Sequence, residues 1–362
     1  MRVSVASNRP CSWYCMRVYW PAIAVMLTAF PAICSTEAPA RQSHTAPHDY
    51  RVAAVRWSPA GSSLAALRVA LKPGVILPSG DLFARGPSAD EWNGLWVFAE
   101  TGDRARRVRE GLLGDYGWAA DGTLIVGNEE MLNGEPGARW LVVDLNGAML
   151  REVAPATQFV TEYAVSPDGR FLAYLGSQIG SARESERSLF VLDCATWQVV
   201  GQPTHVTVGG LLWAPNGRSV YCGLGAGPAS VRLAAPTFVA ERSRANLRFP
   251  SHQAAVDNAG RVVFADGTAL YLTSWGSGKS RPIKRGDIYA PVFSNLGALA
   301  YGDRSDRNAA VLWTGVLKDG ILLARRRDRY HPVDFAVPIG WSLDGKNLAC
   351  CDKDGSLRVV ND

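Results

Sequence analysis

Val165-Ser-Pro-Asp-Gly169-Arg-Phe-Leu-Ala-Tyr-Leu-Gly176 is the most informative stretch of this sequence. Apolar runs stand on both sides of a four-residue turn. Proline sets the backbone angle that opens the turn, aspartate bonds to the chain just ahead of it, and Gly169 takes the left-handed position at no steric cost. The stretch is therefore a β-hairpin, and it recurs. Trp57-Ser-Pro-Ala-Gly61, Trp118-Ala-Ala-Asp-Gly122, Trp213-Ala-Pro-Asn-Gly217, Val256-Asp-Asn-Ala-Gly260, Phe293-Ser-Asn-Leu-Gly297 and Trp341-Ser-Leu-Asp-Gly345 have the same frame, which makes seven copies.

Each hairpin is followed by a third apolar run, starting at Leu95, Trp140, Leu189, Leu270, Val311 and Ser356 in six of the copies. A polar turn then leads to a fourth, as at Arg104, Ala148 and Trp197. Four short strands every 40 to 50 residues or so is the spacing of a propeller blade. No amphipathic helical run interrupts the series. The expected fold is all-β, a seven-bladed β-propeller of four-stranded blades. The last copy supplies three strands, so the stretch His44–Ala53 is expected to complete the last blade as its outer strand and close the ring. The large residue that opens each copy (Trp57, Trp118, Trp213, Phe293, Trp341) is assigned to packing between neighbouring blades.

The segment Val165–Gly176 resembles the repeat of TolB-type and WD40-like propellers, the PD40-like repeats, whose pattern runs S-P-D-G-x-x-L-A-Y. The final segment, Ala349–Asp362, is similar to a WD40 strand, with Val360 where that family has tryptophan. The Gly-His dipeptide of WD40 blades is missing, which places the resemblance on the TolB side. It covers about residues 48–362 and implies a rigid propeller platform.

Ahead of the repeats, Arg17 precedes the apolar stretch Pro21–Ile33, and Ala38-Pro-Ala40 follows it. A basic start, a short apolar centre and an A-x-A site read as a secretory signal peptide. Residues 1–40 are assigned to it, with Met16 a better start than Met1, and 41–362 to a single propeller domain. The apolar stretch is shorter than the roughly 20 residues that span a bilayer, which disfavours an uncleaved anchor. Ile33 stands where a lipoprotein needs a small residue before Cys34. The expected location is periplasmic. After cleavage Cys194, Cys222, Cys350 and Cys351 remain, too few for a disulfide framework and best read as buried thiols.

The 362 residues carry 38 Lys and Arg against 33 Asp and Glu, a balance that argues against a nucleic-acid partner. Gly276-Ser-Gly-Lys-Ser280 resembles the tail of a P-loop, but Thr273 stands where the first glycine belongs. The 5 histidines are scattered, with no pairing at metal-ligand spacing, so neither metal nor cofactor is expected. No G-x-S-x-G elbow is present. The basic run Arg325-Arg326-Arg327-Asp328-Arg329 is read as the outer strand and turn of blade six, and Arg104, Arg106, Arg107 and Arg109 as a similar strip on blade one.

Loop length is the remaining signal. The connections between second and third strands are long in the first three copies: Lys72–Gly94, Asn128–Gly137 and Ser177–Arg187. They form an expected collar on one face, with Asp81, Asp90, Glu91, Trp92, Glu129, Glu130, Arg183, Glu184 and Arg187 as binding candidates. On the innermost strands the charged funnel candidates are Arg56, Glu162, His252 and Asp257. The reading is an exported, monomeric binding or scaffolding module whose partner is another envelope protein. The alternative is an enzyme or small-molecule binder of the lactonase or lyase type, working at the central funnel.

Overall fold

The computed structural model describes residues 50–70, 94–99, 105–110, 116–132, 135–157, 159–177, 187–207, 209–244, 254–306, 309–329, 337–351 and 357–361. All of them belong to one unit, Pro47–Val75 with Pro87–Asp362. The other unit, Met1–Ala46 with Ile76–Gly86, lies outside the described residues.

Seven antiparallel sheets stand in a ring, the four-stranded blades of a β-propeller. Blade one is β1 (Tyr50–Trp57), β2 (Ser63–Ala70), β3 (Gly94–Ala99) and β4 (Arg106–Glu110). Blade two is β5 (Tyr116–Trp118), β6 (Leu124–Leu132), β7 (Glu135–Val143) and β8 (Met149–Val153). Blade three is β9 (Phe159–Val165), β10 (Phe171–Ser177) and β11 (Arg187–Asp193), with an outer edge in two pieces, β12 (Gln198–Val199) and β13 (Thr204–Val206), both paired to β11. Blade four is β14 (Leu211–Trp213), β15 (Ser219–Cys222), β16 (Val231–Ala234) and β17 (Val239–Arg242). Blade five is β18 (Ala254–Val256), β19 (Arg261–Ala265), β20 (Ala269–Ser274) and β21 (Arg281–Arg285). Blade six is β22 (Ile288–Phe293), β23 (Ala298–Asp306), β24 (Ala309–Lys318) and β25 (Ile321–Arg329). Blade seven shows β26 (Val337–Trp341), β27 (Asn347–Cys351) and β28 (Leu357–Asn361). Helix among the described residues is confined to a 3-10 turn at Gly227–Ala229, and no helix there is long and apolar enough to cross a membrane.

The repeat works as its chemistry demands. In blade three the Gly169 N–H donates to the Ser166 carbonyl at 2.8 Å, with φ at 71°. The Ser166 hydroxyl accepts the Phe171 N–H at 3.0 Å and donates to Asp168 at 2.6 Å. Ser342, Asp344 and Asn347 repeat this arrangement in blade seven. There the Ser342 hydroxyl and the Lys346 N–H hold the Asp344 carboxyl below its ordinary pKa.

Packing lies between the blades. Leu172 and Tyr174 of β10 join Ile125, Trp140 and Val142 of blade two, while Phe171, Ala173 and Leu175 join Trp213, Val220 and Leu233 of blade four. A second strand is thus buried on both faces, which is why Phe-Leu-Ala-Tyr-Leu reads as a continuous apolar run instead of an alternating one. Trp57, Trp213, Phe293 and Trp341 sit in such layers, as expected for the opening residue of each copy.

The ring is also tied by hydrogen bonds. The Trp118 indole N–H donates to the Arg56 carbonyl at 3.0 Å, and that of Trp213 to the Ala164 carbonyl at 2.9 Å. Trp57 donates to the Gly340 carbonyl at 3.1 Å, joining blade one to blade seven. Each acceptor directly precedes the opening residue of the blade before. The expected closing stretch His44–Ala53 is corrected in part: Tyr50–Ala53 pair with Leu67–Ala70 as the start of blade one's innermost strand. Residues 44–49 lie outside the described residues.

Cys194, Cys222 and Cys350 are thiols, with Cys222 and Cys350 buried. Burial first, then the charges of nearby acids (Glu162 for Cys222), pushes Cys194 and Cys222 from near 9 up to about 12. The folded state keeps these protons where the unfolded chain gives them up. The stability they contribute is complete below about pH 9 and is lost as pH rises from 9 toward 12, by about 1.4 kcal/mol per pH unit for each thiol. Urea unfolding between pH 8 and 11 is expected to show that slope and to lose a share of it in Cys222→Ala; an unchanged slope in the variant refutes it.

Candidate functional site

Where the innermost strands end and the first turns begin, all seven blades converge on an axial cavity of about 350 Å³. Its lining repeats the sequence frame: Trp57 and Ser58, Trp118, Val165 to Pro167, Leu211 to Trp213 with Pro215, Ala254 to Val256, Pro291 to Phe293, and Gly340 to Leu343. The opening tryptophans therefore do two jobs, filling the space between blades and presenting an edge to the axis. The cavity opens at the turn end, opposite the end where the innermost strands begin.

Its serine and asparagine groups are engaged by the fold, whereas the Trp341 indole N–H has no acceptor among the described residues. The hydroxyls of Ser58, Ser166 and Ser342 accept the N–H groups of Ser63, Phe171 and Asn347. The Asn295 side chain and carbonyl both accept from Asn258, which itself accepts the Asn216 N–H. The turns of blades four, five and six are thereby linked around the mouth. The one charged residue on the described lining is Arg56, whose guanidinium lies over the Tyr116 ring, 5.3 Å from its centre. What the described residues present to the axis is a concave, largely apolar surface, suited to contact and shape.

The funnel candidates separate accordingly. Arg56 lines the cavity. Glu162 does not: its carboxylate accepts the N–H groups of Gly210 and Leu211 at 2.8 and 2.7 Å, clamping blade three to the start of β14. Asp257 is corrected from funnel to turn. It is buried, accepts the N–H groups of Ala259 and Arg261, and pairs with the Arg261 guanidinium at 2.5 Å. It occupies the position that Ser166 holds in blade three. His252 lies outside the described residues.

Of the collar candidates, Glu129, Glu130 and Arg187 are described. The expected loop Asn128–Gly137 is in large part a hairpin: β6 and β7 continue to Leu132 and Glu135, with Glu129 opposite Ala138 and Glu130 opposite Gly137. Arg187 opens β11, paired with Val206. Asp81, Asp90, Glu91, Trp92, Arg183 and Glu184 lie outside the described residues. Among the described residues no group of three or more His, Cys, Asp or Glu is placed to hold a metal ion.

No family model matches the chain, and no curated protein matches it. Among solved structures it is similar to a chain in a crystal structure of a mitotic checkpoint complex, with a TM-score of 0.51 at 14% identity, covering 94% of this chain and 99% of that one. A likeness at that identity supports the propeller fold and leaves activity to the site itself.

Proposed function

We propose that this chain is an exported protein-interaction module of the TolB-like type, acting in the periplasm and holding an apolar side chain of another envelope protein in its axial cavity. The observation that carries this reading is the cavity itself: largely apolar, with the hydroxyls of Ser58, Ser166 and Ser342 committed to backbone turns. Such a surface gains affinity by removing apolar area from water and by shape, as interface pockets do. The basic start, apolar segment and Ala38-Pro-Ala40 site support export. An enzyme of the lactonase or lyase type would need titratable groups converging on the axis, and Arg56 is the only charged group on the described lining.

The test places a photo-crosslinking residue at Leu343, a half-buried turn position on the cavity wall. The expected result in the envelope fraction is one reproducible protein adduct, identified by mass spectrometry. With the crosslinker moved to Asn295, Leu343→Arg should abolish the same adduct while leaving the melting temperature within about 2 °C, since surface changes alter stability little. Failure to crosslink any protein, or an adduct indifferent to Leu343→Arg, overturns the reading.

A further inference from the structure

The spare hydrogen-bonding capacity around the axial cavity has one sign. Asn258 is fixed by main-chain groups at both ends of its amide. Its side-chain oxygen accepts the Asn216 N–H at 2.9 Å, and its NH2 donates to the Asn295 carbonyl at 2.7 Å. The same NH2 lies 2.9 Å from the Asn295 side chain, so Asn295 turns its oxygen there and its own NH2 away. That NH2, on the cavity lining, has no acceptor among the described residues. Asn216, beside the lining residue Pro215, spends its side-chain oxygen on the Arg218 N–H and keeps its NH2 as well. In blades three and seven the serine hydroxyl donates to Asp168 and Asp344. At Ser58 the corresponding residue is Ala60, and that proton is left over. The buried Trp341 indole N–H adds a donor and no acceptor.

Charge complementarity selects the occupant. The donors belong to blades one, four, six and seven, so they surround the axis instead of sharing one wall. The side-chain oxygens of Ser58, Ser166, Ser342 and Asn295 are already bonded, so an N–H brought in by the occupant would meet no free side-chain oxygen on the described lining. The occupant must therefore be apolar, offer acceptors on several sides and carry few donors. Proline meets these conditions with an apolar ring, a carbonyl and no N–H. A proline run forms a helix of three residues per turn without internal hydrogen bonds, which leaves its carbonyls open on three sides. Its stiffness also reduces the ordering cost of binding.

We propose that the axial cavity receives a proline-rich segment of the partner, in the polyproline II conformation, from the turn end. The rings pack on Trp57, Trp118, Trp213 and Trp341, and the carbonyls accept from Asn295, Asn216 and Ser58. This rests on the reading of the cavity as the partner's site and adds the chemistry of what enters it.

The probe is decaproline, labelled with fluorescein at its N-terminus and amidated at its C-terminus, titrated into the full chain and followed by anisotropy. Saturable binding is expected, with a glycine–serine peptide of equal length unbound. Asn295→Asp keeps the oxygen that Asn258 bonds and puts an acceptor where the NH2 stood. It should weaken binding at least about tenfold while holding the melting temperature within about 2 °C. Val239→Asp, at an exposed position on the outer strand of blade four, should leave binding unchanged. No saturable binding, equal binding of the glycine–serine peptide, binding of the free acid alone, or equal loss in Val239→Asp overturns the proposal. Excess decaproline should also suppress the adduct formed from Leu343. An adduct that survives it overturns proline recognition alone. Absence of any adduct while decaproline still binds removes the envelope partner and supports the cavity as a proline site.

Discussion

Replacing Trp140 by alanine is expected to destabilise the propeller by about 3–5 kcal/mol, in the range found for deleting a large buried aromatic ring. Trp140 lies on β7 with no exposed surface and is the largest of the fully buried side chains. It meets Tyr174 of blade three edge-on at 5.0 Å and Tyr163 at 6.1 Å, so its removal opens a void between two blades. Its indole N–H has no acceptor among the described residues, unlike those of Trp57, Trp118 and Trp213. Trp140→Phe should therefore recover most of the loss, leaving about 1–2 kcal/mol. Urea unfolding of both variants checks the pair. An alanine variant within about 1 kcal/mol of the wild type would show that the space between blades two and three collapses without cost.

The second large effect is expected at a turn. In Gly169→Ala the new methyl would stand 2.4 Å from the Ala120 nitrogen and 2.5 Å from the Ala119 carbonyl carbon, both backbone atoms of the neighbouring blade's turn. The Ala120 N–H donates to the Gly169 carbonyl at 3.1 Å, so any retreat also lengthens that bond. Left-handed backbone at a residue with a side chain costs about 1–2 kcal/mol, and displacing the contact should bring the total to about 3 kcal/mol. Gly122 is the natural control, with φ at 84° and nothing within 4 Å of an added methyl. Gly122→Ala should lose only the backbone part, about 1–2 kcal/mol. The difference between the two variants measures turn-to-turn contact around the ring; equal losses would assign it no value.

The blade count was legible because a positive-φ glycine between apolar runs is local chemistry that survives any tertiary context. The tryptophans were legible for the same reason, since their recurrence in register with Gly61, Gly122, Gly217 and Gly345 ties them to the repeat. Asp257 was within reach of that argument. Aligned on Gly260, it falls where Ser166 and Ser342 sit, the residue whose side chain bonds the following turn. Glu162 carried no comparable signal, because its partners Gly210 and Leu211 belong to the next blade and only the folded ring brings them near. Asn128–Gly137 misled for a local reason: asparagine, glutamates, proline and glycine suggest a loop, yet ladder pairing with a facing strand overrides such preferences. The exposure of Ile321 and Leu323 on blade six was hidden for the opposite reason. Ile321-Leu322-Leu323 reads as core in any sequence, and only the packing of Leu322 toward blade five shows which neighbours are left outside.

The three indole bonds run one way: Trp57, Trp118 and Trp213 each reach back to the blade before. Around six of the joints the chain itself also passes from blade to blade. At the seventh joint, Trp57 and the Gly340 carbonyl meet across 283 residues of sequence. That joint behaves as a clasp on a bracelet. Tension across that joint bears on Val55, Trp57 and Ala349, the layer in which blades one and seven meet.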